Sequence, residues 1–152
     1  MFIAGFFSGI LILGLFLTFI FPRMMISVSE SKYDFEKTLE ILTESVKEQN
    51  WRMPGQYDLQ QIMDNNGFQV KPVKVFSICK PDIAVRILDK DRDRHIAAMM
   101  PCRVSIYQKS DGITYISRMN PGLFARLLGG NAGAVMGEAG EGSEKVLKAI
   151  IK

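Results

Sequence analysis

The chain holds one histidine, two cysteines and one tryptophan, and it has no charged side chain before residue 23. Each scarcity removes a class of function. With His95 alone, a Ser-His or Cys-His mechanism has a single candidate base. Cys79 and Cys102 are too far apart in sequence for the C-x-x-C of thioredoxin-like redox sites. Two thiols also fall short of the four ligands of a closed zinc site. No G-x-S-x-G, G-x-x-x-x-G-K-[ST] or H-E-x-x-H occurs. "GGNAG" does not meet G-x-G-x-x-G, and no two carboxylates pair by spacing. An enzyme is therefore not the expected class. Nor is there a Lys/Arg block interleaved with aromatics, and the net charge is only +3, so nucleic acid is not an expected partner. The small basic excess is either a solvated surface or an aid to sitting near an anionic leaflet.

What is present is unevenly placed. The chain is 47% hydrophobic and 23% charged, ordinary values for a globular protein, yet all 19 Lys and Arg and all 16 Asp and Glu lie beyond Pro22. Residues 2–22, "FIAGFFSGILILGLFLTFIFP", read as a transmembrane anchor, since about 20 helical residues span roughly 30 Å of hydrocarbon. A secretory signal is the alternative. The missing basic residue ahead of the run and the missing small-x-small cleavage site after it favour an uncleaved anchor. Pro22 is expected to end the helix, with Arg23 at the headgroups. Arg23, Lys32 and Lys37 follow the run and nothing charged but the amino terminus precedes it. The positive-inside rule then places residues 24–152 in the cytoplasm, below a single-pass span of the cytoplasmic membrane. In that reducing compartment a structural disulfide is not expected. Gly5 and Gly9 form G-x-x-x-G, a spacing that lets helices approach closely, so the anchor either packs on another helix or shows its glycines to lipid. The packing partner would be a second copy or another membrane protein.

Residues 24–30 alternate and predict a first strand. Ser31 with Asp34 suggests a capping-box variant for a helix whose apolar stripe is Phe35, Leu39, Leu42 and Val46. Pro54-Gly55 reads as a turn, then a short helix runs around Leu59–Asp64 and ends at Asn66-Gly67. "KPVKVFSICK" predicts a strand. Pro81 opens a helix with Ile83, Ala84 and Leu88 on one face, and "DRDRH" reads as a solvated turn. Val104 and Ile106 alternate with Arg103, Ser105 and Tyr107 in a strand that turns at "KSDG", with Gly112 left-handed, and returns as Ile113 to Ser117. Leu123, Phe124, Leu127 and Leu128 make a short apolar helix. A Gly/Ala-rich link follows, then a last helix capped by Ser143 with Val146, Leu147 and Ile150 on its face. "GLFARLLGGNAGAVMG" either docks on the core, the expected outcome, or lies on the membrane surface. Strands mixed with helices in this order imply an α+β two-layer domain.

From Ile78 to Met119, "ICKPDIAVRIL" and "MMPCRVSIYQKSDGITYISRM" resemble the DUF302 family (domain of unknown function 302) of bacteria and archaea. Cys79, Pro81, Pro101, Cys102 and Arg103 are the positions that match its pattern. The resemblance covers nearly all of residues 24–152. It implies a two-layer α/β sandwich like half of the TATA-binding-protein fold and a tendency to dimerise. It implies no reaction.

Cys102 shares a strand face with Val104 and Ile106, where a cysteine serves as a small buried hydrophobe. If it lies on a strand adjacent to Cys79, the two form a thiol pair or bind a soft metal such as Cu(I). His95 as a third ligand would need its loop to fold back. Arg103 points to the opposite face. It is either a surface salt-bridge residue or, joined by Lys74, Lys80, Arg86 and Arg118, a ligand for a small anion. The reading that follows is a membrane-anchored accessory or binding module without a cofactor. The alternative is a thiol or soft-metal redox or metal-handling protein using Cys79 and Cys102.

Overall fold

A computed structural model describes residues 2–152, with side chains from Phe7 onward. The chain begins with one long helical segment, α1 (Phe2–Leu15), a π-helical stretch (Phe16–Ile20) and α2 (Phe21–Met24). Pro22 does not end it. Proline removes one backbone donor and crowds the carbonyl four residues back. The wider π turn just ahead of Pro22 is a common way for a helix to take up such an interruption, and the Thr18 hydroxyl donates to the Gly14 carbonyl at 2.8 Å. The helix is released at Met25, whose N–H still reaches the Pro22 carbonyl.

Five antiparallel strands follow: β1 (Ile26–Glu30), β2 (Arg52–Asp58), β3 (Val73–Cys79), β4 (Cys102–Gln108) and β5 (Thr114–Met119), in the sheet order β1-β5-β4-β3-β2. Helices α3 (Phe35–Glu48), α5 (Pro81–Leu88) and α7 (Gly130–Leu147) lie on one face, and the short α4 (Leu59–Asp64) joins β2 to β3. Alternation along the strands supplies that face with Phe76, Ile78, Val104, Ile106 and Ile116, which meet Leu42 and Val46 of α3 and Val146 and Leu147 of α7. A second cluster joins Ile83 and Ile87 of α5 to Ile96, Val135 and Met136. The opposite sheet face stays open. Val28 and Tyr57 are exposed there, and Tyr107 stacks on Tyr115 with centroids 5.8 Å apart. This is the two-layer α+β architecture the sequence implies.

Four local expectations are corrected. Pro54-Gly55 is no turn but lies inside β2, where the register shifts between Arg52 and Gly55. An edge strand tolerates a proline at such a bulge because the missing donor faces away from the ladder. Asp34 rather than Ser31 caps α3, accepting from the Lys37 N–H at 2.8 Å, while Ser31 is buried against Thr38 at 2.7 Å. On α5 it is Ile87, not Leu88, that is buried.

The fourth concerns the Gly/Ala-rich stretch. It is no link but the first half of α7, and Ser143 lies inside that helix with its hydroxyl on the Gly140 carbonyl. The small residues are explained by proximity. A Cβ on Gly140 would run into Pro121, one on Gly133 into the Ala125 backbone, and one on Gly142 would lie 2.7 Å from the Trp51 ring. Pro121 and Ala125 belong to α6 (Pro121–Leu128), which lies along α7 and buries no residue completely. The glycine cost in helix propensity, about 1 kcal/mol each, is offset by this close approach.

Thr114 is 2% exposed, and its hydroxyl has no hydrogen-bond partner among the described residues. An unsatisfied buried hydroxyl costs about 1–3 kcal/mol. Thr114→Val, of nearly the same shape, is therefore expected to raise the urea midpoint by the equivalent of about 1 kcal/mol. An unchanged or lower midpoint would count against a stranded hydroxyl.

Candidate functional site

β3 and β4 are neighbours, and their register pairs Ile78 with Cys102. Cys79, the last residue of β3, is thus the diagonal neighbour of Cys102. Strand spacing and rise put their Cα atoms roughly 6 Å apart. Beyond Cys79 the backbone leaves the sheet through Lys80 and enters α5 at Pro81, which is helix position N1. Strict alternation would send Cys79 to the open face. Instead it borders the same cavity as Cys102, at the seam between the two hydrophobic clusters.

That cavity is almost wholly apolar. Trp51, Ile83 and Val135 wall it, together with two methionines, Met100 and Met136. Its free volume is about 20 Å³, room for one water-sized guest and too little for an organic ligand. A second cavity of about 30 Å³ adjoins it, shares Cys102 and Met136, and is bordered by Met99 and Met119. Both thiols are free. Burial pushes the Cys102 thiol up, and the nearby charge of Cys79 adds to this. Burial also raises the Cys79 thiol, with Asp82 contributing. Both thiols therefore hold their protons to higher pH than a free cysteine does.

His95 lies elsewhere, in the 3-10 segment Arg94–Met99, with Nδ1 3.0 Å from the Arg92 carbonyl and a different cavity at its side. Among the described residues no group of three or more His, Cys, Asp or Glu could hold a metal. Arg103 is exposed on β4 opposite Ser77, at the rim of the second cavity, with no ion pair among the described residues. The basic residues expected beside it are mostly engaged with carboxylates. Lys74 pairs with Asp58 at 3.1 Å and Arg86 with Glu138 at 2.6 Å. Arg118 grips Glu144 through two 2.8 Å bonds and Ser29 through a third. Lys80 alone stands at the thiol cavity.

Sequence reasoning did not find Met100, Met136 or Trp51 for this site. Met100 ends a 3-10 segment read as a loop, and Met136 lies on the part of α7 read as a link. On the anchor, Gly9 has open space where a Cβ would stand. The surroundings of Gly5 lie outside the described residues.

The antiparallel five-stranded sheet, covered on one face and with two free cysteines at its β3–β4 end, defines a small α+β domain. Residues 27–151 match the family model "Domain of unknown function DUF302". The chain belongs to the DUF302 family. It is similar to "uncharacterized conserved protein DUF302 from Bacillus stearothermophilus", a crystal structure matched over 84% of this chain and 96% of that one, with a TM-score of 0.68 and 20% identity. At that identity the likeness establishes the fold. No curated protein matches the chain.

Ahead of the family domain, among the described residues, one helix is long and apolar enough to cross a membrane, Phe7–Met24, a property a signal sequence shares.

Proposed function

We propose that the chain is a membrane-anchored accessory module. Its N-terminal helix spans the cytoplasmic membrane, and its DUF302 domain sits on the cytoplasmic side as a subunit of a larger membrane complex or of a self-assembly. The observation that carries this reading is the Phe7–Met24 helix, none of which is buried against the domain. A soluble domain has no use for so much exposed apolar surface. Three hydrogen bonds support a fixed anchor. The Asn120 side chain donates to the Met24 carbonyl at 3.0 Å, the Asn120 N–H donates to the Met25 carbonyl at 2.9 Å, and its Oδ1 caps α6. The helix thus runs into the domain at the β5–α6 corner without a loose linker. Arg23, Lys32 and Lys37 after the span favour the inward orientation.

The test is protease added to spheroplasts of cells carrying a C-terminal epitope. The reading expects the epitope to survive until the membrane is permeabilised. Cross-linking in the same membranes should give an adduct that weakens in Gly9→Leu, since a bulky side chain separates helices that meet on a small-residue face. Cleavage in intact spheroplasts would reverse the topology, and an adduct indifferent to Gly9→Leu would remove the helix from the interface.

A further inference from the structure

Four sulfur-bearing residues line one water-sized gap: Cys79 and Cys102, which carry thiols, and Met100 and Met136, which carry thioethers. They come from four separate pieces of the fold: the end of β3, the start of β4, the segment before it, and α7. A cysteine kept only to fill space would sit in closed packing, whereas these two face a gap. The gap is too small for an organic molecule and too apolar to hold water well, since a buried water makes about three hydrogen bonds. Sulfur-bearing residues around an apolar gap suit a soft cation that prefers thiolate and thioether to water.

We propose that Cys79 and Cys102, with Met100 and Met136 completing the wall, form a site for one soft monovalent cation, Cu(I) or its redox-inert analogue Ag(I). Binding breaks two S–H bonds and forms two metal–thiolate bonds. Both protons go to solvent, and the metal keeps its oxidation state. The metal with two thiolates carries one negative charge, and Lys80 is the one basic residue on the cavity's lining. The other charged groups near the thiols are Asp82 on α5, which acts on Cys79, and Arg52, the register partner of Cys79 on β2. Arg103 and Arg118 border the adjoining cavity. From α7 only apolar Val135, Met136 and Ala139 face the thiol cavity. A thiol must lose its proton to bind the metal as thiolate, so acid competes with the metal. Two protons released per ion make the apparent affinity fall by about 100-fold per pH unit below the thiol range.

The experiment titrates Cu(I), kept reduced by ascorbate, into the full chain in detergent against a chromogenic Cu(I) chelator. The expected result is one Cu(I) per chain with thiolate-to-copper ultraviolet absorption. Cys79→Ser and Cys102→Ser should each remove tight binding, Met100→Leu or Met136→Leu should weaken it roughly tenfold, and the pH slope should be close to two protons. A thermal melt of each variant reports its folding. Independently of any variant, Ag(I) should shield both thiols of the wild-type chain from maleimide under conditions in which the metal-free chain takes up two, read as a mass with no adduct. Maleimide capture of both thiols at full Ag(I), or Cu(I) affinity equal to that of the double serine variant, overturns the proposal. Neither readout depends on the anchor or on its topology.

Discussion

Phe76→Ala is expected to cost about 3–5 kcal/mol, the range for deleting a buried aromatic ring. Phe76 is 1% exposed and sits on interior strand β3 between Gln56 of β2 and Val104 of β4. It heads the fully buried side chains by volume. The helices above it cannot settle into the hole, because α3 and α7 are held by Ser45, whose hydroxyl donates to the Val146 carbonyl at 2.8 Å. Set against a total stability of about 5–15 kcal/mol, this is a large fraction. For a domain of this size each kcal/mol is worth about 3–4 °C, so melting should come roughly 10–20 °C earlier. Tyr57→Ala is the control. Tyr57 is 47% exposed on the open sheet face, and its loss should stay within about 0.5 kcal/mol. Equal melting of the two variants would mean that the helices do not cover the face assigned to them.

How far the fold was legible follows from where one physical pattern acted alone. α3 was readable because its apolar residues keep helical spacing and nothing competes. The β4–β5 hairpin was readable because alternation and a left-handed glycine agree, and Gly112 has φ +79°. β2 was hidden because Pro54-Gly55 is the signal of a turn, and only its position at the sheet edge makes it a bulge. α7 was hidden because glycine opposes helix locally while Pro121, Ala125 and Trp51 require it at a distance. The candidate site follows the same division. Cys102 could be placed on the helix-covered face from Val104 and Ile106. Cys79 could not be placed, because alternation stops helping at the last residue of a strand. Met136 could not be found without α7. The cavity is thus a product of tertiary packing that no single window of sequence contains.

A chain begun at Met24 is expected to move from the membrane pellet to the supernatant with its domain folded. Between Phe7 and Phe21 lie eleven Leu, Ile and Phe residues. At about −0.3 to −0.6 kcal/mol each near the centre of a span, they favour insertion by roughly 3–7 kcal/mol together. Arg23 lies at the end of the segment, where its side chain can reach the headgroups, so it subtracts little. The domain gains nothing from these side chains, since none of the window is buried against it. Starting at Met24 also preserves the Met24 and Met25 carbonyls that Asn120 uses, so the β5–α6 corner stays closed. Carbonate extraction followed by a melt of the soluble fraction checks both parts. Leu13→Arg in the full chain should move release in the same direction, because a central arginine costs about 2.5–3.5 kcal/mol on the insertion scale. A truncated chain that still pellets and resists carbonate would mean that the domain itself holds the membrane. The exposed Leu127 and Arg126 in the last turn of α6 would then be the residues to change next.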